Sequence, residues 1–506
     1  MRKYLILLLS SLLFIINLFA QETPSFVKDS IDAYVQKALT DWQIPGVAVC
    51  VIKDGKVVVM KGYGVKEMGT TNKVDENTLF MIGSNSKAFT ATALAMLAED
   101  KKLSLDDHVI KWLPTFKLYD PWVTKEANIR DLLCHRLGFE TFQGDFMYFD
   151  SDLTTAEVLE KLGKVKPLYS FRSRWGYCNA AFMTAGEIIP KASGKTWAEY
   201  IKENIFTPLE MNNTLALSKD ILTATNKATA HTVALGVLKK IPYGNIDNLA
   251  PAGSISSSIT DMSHWVLAHL NFGKYNDKQV IPQGAITQTW TPNSILGNGG
   301  HRFNRAHFSL YGLGWFMDEY SGRKIVSHTG GVNGFVTSVT LVPEEKLGII
   351  VLTNTDANRF YESLKNEILD AYLGLPYRNY SQLHFDNYKK GVRKNAQHLK
   401  NMHDTIAMNR PTTLPLASYA GNYEHDVYGK MTIASENGKL IARFEHHKGR
   451  FATLEPLGGN RFIATFNESL FGIQEWPFTT ADGKVKSVTV TVDDFVEFTP
   501  YEFYKK

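Results

Sequence analysis

Cysteine is scarce in this 506-residue sequence, which contains three: Cys50, Cys134 and Cys178. An odd count this low does not support a disulfide framework, and we expect small, buried thiols instead. None of the three lies near histidine at metal-binding spacing, and no His-Glu-x-x-His motif occurs. The sequence therefore predicts no zinc site, and it points to no other cofactor.

An excess of charge of one sign is also lacking. The chain has 55 Lys and Arg against 51 Asp and Glu, a net charge of +4. No run of Lys and Arg marks the basic stripe that phosphate contacts require. We therefore expect a small-molecule or peptide substrate and no nucleic-acid partner. Cell-envelope material is a candidate partner, and the oligomeric state stays open.

Long apolar runs are confined to the start of the chain. Residues 4–19 are almost wholly apolar, follow Arg2 and Lys3, and precede Ala20. This pattern predicts a signal peptide over residues 1–20 and an exported, periplasmic or secreted protein. The alternative is an uncleaved membrane anchor, which the length disfavours because a spanning helix needs about 20 apolar residues.

Two kinds of pattern divide the rest of the chain. Over residues 25–375, strand-like runs stand at both ends and helical patterns in the middle, which indicates an α+β domain with one sheet. Residues 376–415 are polar and are predicted to form a helical or irregular linker. Over residues 416–506, short strand-like runs separated by turn pairs predict a small antiparallel β-domain.

Candidate chemistry lies at the start of a predicted helix. Residues 88–98 are rich in Ala, Leu and Met, and the segment 83–87, Gly-Ser-Asn-Ser-Lys, opens them. Ser84 and Lys87 then share a helix face, and the helix N-terminus supplies free N–H groups near Ser84. A serine becomes a nucleophile when a base accepts its proton, and a buried lysine can be that base.

The Ser-x-x-Lys pattern is weak when it stands alone. It recurs at Ser25–Lys28 and at Ser321–Lys324, close to the number that ordinary composition produces by chance. Ser84 could also be a helix cap, which is the commonest role of serine at such a position.

Two further segments single out the pattern at Ser84. Tyr177-Cys178-Asn179 precedes a predicted helix; a tyrosine beside a lysine can share a proton, and an asparagine amide can bind both a lysine and a substrate carbonyl. The segment 328–331, His-Thr-Gly-Gly, is predicted to follow a strand at 324–327. Its small residues would let a substrate backbone lie close, and one of its N–H groups could complete an oxyanion hole.

Together the three motifs resemble those of the serine β-lactamase and penicillin-binding protein superfamily. The class C β-lactamase and D,D-peptidase branch, with its esterase-like members, is the most similar, over roughly residues 25–370. The resemblance implies an antiparallel sheet flanked by helices, plus a helical lobe. The C-terminal unit resembles a small β-domain that many members carry after the hydrolase.

The resemblance also implies roles for individual residues. It implies an acyl-enzyme on Ser84, with Lys87 and Tyr177 transferring protons. The implied substrate-binding residues are Asn179, His328, Thr329 and Gly330, and the implied oxyanion hole consists of the backbone N–H groups of Ser84 and Gly331.

The third motif departs from the family pattern at its first position. His328 replaces the lysine that meets the substrate carboxylate in antibiotic-hydrolysing members, and a neutral histidine is a weaker partner for an anion. We therefore favour a serine hydrolase of D-amino-acid peptides or small esters, with a class C-type β-lactamase as the alternative. A hypothesis of another class is a penicillin-binding sensor or scaffold with little turnover.

Overall fold

The computed structural model describes residues 22–234 and 236–506 and consists of an α+β domain followed by a β-barrel. The predicted fold class, with its all-β C-terminal domain, is confirmed. The predicted signal peptide lies outside the described residues. Within the described part of the chain, no helix combines the length and apolar character needed to span a bilayer.

The first domain is built on one antiparallel sheet of eight strands. In chain order, the strands are β1 (Gly46–Lys53), β2 (Lys56–Gly64), β3 (Ser294–Gly297), β4 (Ser309–Tyr311), β5 (Phe316–Tyr320), β6 (Arg323–Val332), β7 (Phe335–Val342) and β8 (Leu347–Thr353). Their spatial order is β2-β1-β8-β7-β6-β5-β4-β3, so strands from both ends of the domain are neighbours. The predicted β1–β2 hairpin is confirmed, and its turn residues Asp54 and Gly55 both have positive φ.

Helices cover both faces of this sheet and form a lobe beside it. In chain order, the α-helices of the described residues are α1 (Ile31–Asp41), α2 (Ser86–Glu99), α3 (Val109–Trp112), α4 (Pro121–Glu126), α5 (Ile129–Leu133), α6 (Thr155–Leu162), α7 (Asn179–Gly186), α8 (Ile188–Ser193), α9 (Trp197–Ile201), α10 (Ala250–Gly253), α11 (Ile259–Leu270), α12 (Gln283–Thr289), α13 (Phe360–Tyr372) and α14 (Tyr380–Ala407).

Burial on both faces explains why β1 is almost entirely apolar. Every residue of β1 is buried. Val47 and its same-face neighbours pack into a cluster with α1 and α13, whereas Ala48 and its neighbours pack on the opposite face with α2 and α11. A strand that is covered on both faces has no solvent side and needs no polar alternation.

The C-terminal domain is a closed barrel of eight antiparallel strands. In chain order, they are β9 (Gly421–His425), β10 (Gly429–Glu436), β11 (Lys439–Phe444), β12 (Phe451–Gly458), β13 (Arg461–Phe466), β14 (Ile473–Ala481), β15 (Lys484–Val490) and β16 (Tyr501–Lys505). Pairing of β9 with β16 closes the barrel and removes its free sheet edges. The helix α14 occupies most of the predicted linker 376–415 and packs against α13 and β12.

One strand differs from the sequence prediction in a way that matters for the site. The strand predicted to end at Ser327 continues to Val332, so the segment 328–331 lies inside β6. Gly330 has a packing role within the strand, because a Cβ atom there would lie 1.8 Å from the carbonyl oxygen of Ile82. The pairing of β5 with β6 stops at Ser327, whereas β7 pairs with β6 along its whole second half.

We predict that Gly330→Ala destabilises the protein, because the new methyl group would collide with backbone that cannot rotate away. Forced overpacking of this kind costs roughly 1–3 kcal/mol. Gly300→Ala is the matched control, because nothing lies within 4 Å of its added Cβ. Denaturant unfolding of both variants measures the difference, and equal stabilities would contradict the packing argument.

Candidate active site

Ser84 lies in a single 3₁₀ turn, Gly83–Asn85, which leads directly into α2. The turn is held by Thr337 of β7, whose hydroxyl donates to the Ile82 carbonyl at 2.9 Å. The same hydroxyl accepts from the Asn85 side-chain amide at 2.9 Å. The sheet therefore fixes the position of Ser84 through a side chain that the sequence motifs do not include.

Lys87 is fully buried one turn after Ser84. Its Nζ lies 3.0 Å from Ser84 Oγ, 2.6 Å from Asn179 Oδ1 and 2.8 Å from the carbonyl oxygen of Ala252. A neutral amine has two N–H bonds and one lone pair. Since the two carbonyl oxygens can only accept, they take both N–H bonds, and the lone pair is left for the Ser84 hydroxyl.

Burial determines the protonation of this amine. It lowers the pKa of Lys87 from 10.5 to about 7, although the nearby Asp145 carboxyl and Cys178 thiol act in the opposite direction. A large fraction of the Lys87 amines is therefore neutral near pH 7. The buried site thus contains an amine that can act as a base within hydrogen-bond distance of the Ser84 hydroxyl.

Asn179 is oriented by a buried carboxyl group that the sequence motifs do not reveal. Its Nδ2 donates to Asp145 Oδ2 at 2.6 Å, which turns Oδ1 toward Lys87. The Tyr148 hydroxyl donates to the other oxygen of Asp145. Burial raises the pKa of Asp145 well above its usual value. Asp145 begins a short 3₁₀ turn, Asp145–Met147, that has no sequence pattern of its own, so only its place in the fold identifies it.

Tyr177 covers the amine on the cavity side. Lys87 Nζ lies 4.6 Å from the centre of the Tyr177 ring. Burial raises the pKa of the Tyr177 phenol well above its usual value, while a hydrogen bond with the Ser84 side chain acts in the opposite direction. The phenol therefore keeps its proton at neutral pH. Behind it, the His135 ring packs 4.4 Å from the Tyr177 ring and accepts from the Cys178 N–H at 3.0 Å.

His328 is buried and makes both of its hydrogen bonds within the protein. Its Nδ1 donates to the Thr329 carbonyl at 2.6 Å, and its Nε2 accepts from the Tyr311 hydroxyl at 3.1 Å. Burial, followed by the charge of Lys87, lowers the pKa of His328 to about 3. The ring is therefore neutral at physiological pH and brings no positive charge to the site.

These groups meet in a cavity of about 270 Å³. Its lining consists of Ser84, Thr141, Phe142, Asp145, Phe149, Trp175, Tyr177, Asn179, Phe316, His328, Thr329, Gly331 and Phe495. Among the sequence-predicted residues, Lys87 lies beneath the lining, and Gly330 packs under the Ser84 turn instead of facing the cavity. A larger cavity beside α1, lined by Phe26 and Tyr377, has no comparable buried base in its lining, so the cavity at Ser84 is the candidate active site.

Most of the aromatic lining could not be inferred from the motifs. Phe142, Phe149, Trp175 and Phe316 come from loops and a short strand, and Phe495 comes from the C-terminal barrel. Among residues 22–234 and 236–506, no cluster of three His, Cys, Asp or Glu side chains is arranged to hold a metal ion.

Residues 31–373 match the protein-family model described as Beta-lactamase. The chain belongs to this family, and the resemblance inferred from the three motifs is confirmed. Residues 407–505 match a domain of unknown function, DUF3471.

Relatives are similar over most of the chain. The unguisins hydrolase ungD of Aspergillus violaceofuscus is 28% identical over 467 residues, which cover 85% of this chain and 82% of that protein. Protein flp of Staphylococcus aureus is 27% identical over 364 residues, 68% of this chain and 67% of that protein. The octameric penicillin-binding protein homologue from Pyrococcus abyssi shares the fold, with a TM-score of 0.60 and 19% identity, over 94% of this chain and 99% of that one.

We predict that the buried Lys87 amine makes the stability of the protein depend on pH in a defined window. Between pH 7 and 10.5 the unfolded chain keeps the lysine proton that the folded chain has lost, so stability should rise with pH by roughly 1.4 kcal/mol per unit. Below pH 7 both states are protonated and this contribution is flat.

Lys87→Met provides the comparison, because it removes this proton and leaves the other groups in place. The difference in unfolding free energy between wild type and Lys87→Met, measured by urea unfolding at several pH values, should change in favour of wild type from pH 7 to pH 10. A difference that is constant over this range would contradict the lowered pKa of Lys87.

Proposed function

We propose that this protein is a serine hydrolase that forms an acyl-enzyme on Ser84. The observation that carries the proposal is the geometry of Lys87, whose amine lies 3.0 Å from Ser84 Oγ with both N–H bonds directed at carbonyl acceptors. The relative named as a hydrolase supports turnover over a purely binding role.

Acylation follows from these contacts. Lys87 accepts the Ser84 proton as Oγ attacks the acyl carbonyl of the substrate. The backbone N–H groups of Ser84 and Gly331, both in the cavity lining, are our candidates for the oxyanion hole. Tyr177 gives its proton to the leaving group and regains one from Lys87. Water then attacks the ester carbonyl and gives its proton to Lys87; the bond from the acyl carbon to Ser84 Oγ breaks, and Lys87 returns the proton to Oγ.

The cavity lining suggests an uncharged substrate. It contains no Arg or Lys, and His328 is neutral, so a carboxylate would lose its hydration without gaining a cation. Aromatic rings supply much of the remaining surface. We therefore favour small esters and D-amino-acid peptides whose carboxyl end is not free within the cavity. A class C-type β-lactamase is the second candidate, which the family match supports.

Export is a further proposal, based on the apolar segment over residues 1–20. It would bring the enzyme into contact with cell-envelope peptides. Cell fractionation of the producing organism tests it, and a purely cytoplasmic protein would contradict it.

We predict that Ser84→Ala lowers the turnover rate at least about 1,000-fold, because the nucleophile is lost. The substrates to test are a p-nitrophenyl ester, a D-alanyl-D-alanine peptide and a chromogenic cephalosporin, with intact-mass detection of acyl-Ser84. Ser25→Ala, in another Ser-x-x-Lys segment of the same chain, is the matched control and should keep full activity. Stoichiometric acylation without turnover on all three substrates would instead support the sensor hypothesis.

We predict that a D-alanyl-D-alanine peptide methyl ester is a better substrate than the same peptide with a free carboxylate. His328→Lys should shift the kcat/KM ratio toward the free acid by about tenfold, since a tenfold change corresponds to about 1.4 kcal/mol of charge attraction. His328→Gln, which adds no charge, should leave the ratio near the wild-type value. A wild-type preference for the free acid would contradict the neutral-substrate argument.

A further inference from the structure

We propose that the C-terminal barrel completes the active site, and that its Phe495 is a specificity-determining residue that limits the length of the acyl group. The inference rests on the proposed function and extends it. Phe495 lies in the cavity lining together with Ser84 and Gly331. A Cβ atom on Gly331 would lie 3.4 Å from Cε2 of the Phe495 ring, so the ring is in contact distance of the strand that would hold the oxyanion.

Phe495 stands where the acyl group of a substrate is expected. In the proposed mechanism the leaving group must meet Tyr177, its proton donor. The Tyr177 ring lies 6.2 Å from the ring of His328, which is the first residue of β6 beyond its pairing with β5. The acyl group then extends the other way, along β6 toward Gly331. Phe149 meets Phe495 edge to face at 6.2 Å and continues the same apolar wall.

The loop that carries Phe495 is held in a defined shape. It joins β15 to β16 and is organised around Asp493, whose N–H donates to the Phe471 carbonyl at 3.0 Å. The side chain of Asp493 accepts from the Phe495 N–H at 2.9 Å, and its carbonyl accepts from the Val496 N–H at 2.8 Å. Val496 itself is buried. Such a loop presents Phe495 as a fixed wall.

A buried carboxylate ties this loop to the catalytic domain. Glu497, two residues after Phe495, accepts from the backbone N–H groups of Gly144 and Phe146 at 2.8 and 3.1 Å. It also accepts from the Tyr428 hydroxyl of the barrel at 2.7 Å. Because Gly144 and Phe146 flank Asp145, these bonds hold the segment whose Asp145 carboxyl orients Asn179.

A side chain of the first domain also packs into the barrel. Phe146 is buried among barrel rings: it stacks on His447 at 4.4 Å and lies parallel to Tyr501 at 5.7 Å. Arg450 of the barrel adds an ion pair with Asp150 at 2.7 Å. The contacts of Glu497, Phe146 and Arg450 therefore fix the barrel next to Asp145, which makes the position of Phe495 a property of the folded protein.

The test compares full-length wild type, Phe495→Ala and Phe495→Trp on p-nitrophenyl acetate, butyrate and octanoate. Phe495→Ala should raise the octanoate-to-acetate ratio of kcat/KM at least tenfold, and Phe495→Trp should lower it. The ratio does not depend on the fraction of folded enzyme, so partial misfolding cannot produce the shift. Tyr504→Ala removes an exposed aromatic ring from β16 of the same barrel and should leave the ratio unchanged.

The outcomes separate this inference from the proposed function. Ser84-dependent turnover with the same ratio in wild type, Phe495→Ala and Phe495→Trp would overturn the role of Phe495 while leaving the hydrolase proposal intact. A shift of equal size in Tyr504→Ala would also overturn it, because the effect would then not be local. A wild type without Ser84-dependent turnover on any of the esters would overturn both.

Discussion

The buried amine of Lys87 is the interaction on which the rest of the site depends. A lysine with no solvent access is costly unless its N–H bonds find acceptors, and here those acceptors come from Asn179 at the start of α7 and from Ala252 in α10. The helical lobe must therefore pack tightly around α2, which is buried along nearly its whole length. The same packing that excludes water from the amine also holds it against Ser84.

The electrostatics of the cavity follow from this burial. Burial disfavours the charged form of each group, so it lowers the pKa of Lys87, His328 and His135 and raises the pKa of Asp145. None of the histidines in this cluster can then act as a cation toward a substrate. In the proposed function, selectivity therefore depends on shape and on aromatic surface, to which we propose that loop residues and the barrel contribute.

The sequence predicts those parts of the fold and of the candidate site whose signal is local. The helix behind Ser84, the Asp54-Gly55 hairpin and the three motifs are short patterns whose physics is contained in a few residues. The sequence does not reveal Asp145, the Ala252 carbonyl or Phe495, because a carbonyl acceptor has no residue signature and Phe495 lies some 400 residues after Ser84 in the chain. The sequence also predicts too early an end for β6, because glycines are typical of strand ends. The need for room beside the turn that carries Ser84 is visible only in the fold.

The barrel is coupled to the site along two physical routes. Phe495 touches the cavity directly, so a change there alters space without altering the hydrogen bonds of Lys87. Glu497 acts through the backbone of Gly144 and Phe146 on Asp145, and from there through Asn179 on the amine. Burial raises the pKa of Glu497 to about 7, so this anchor ionises in the same pH range as Lys87. A closed barrel suits both routes, because without free edges it remains a rigid body on which a loop and a carboxylate keep fixed positions.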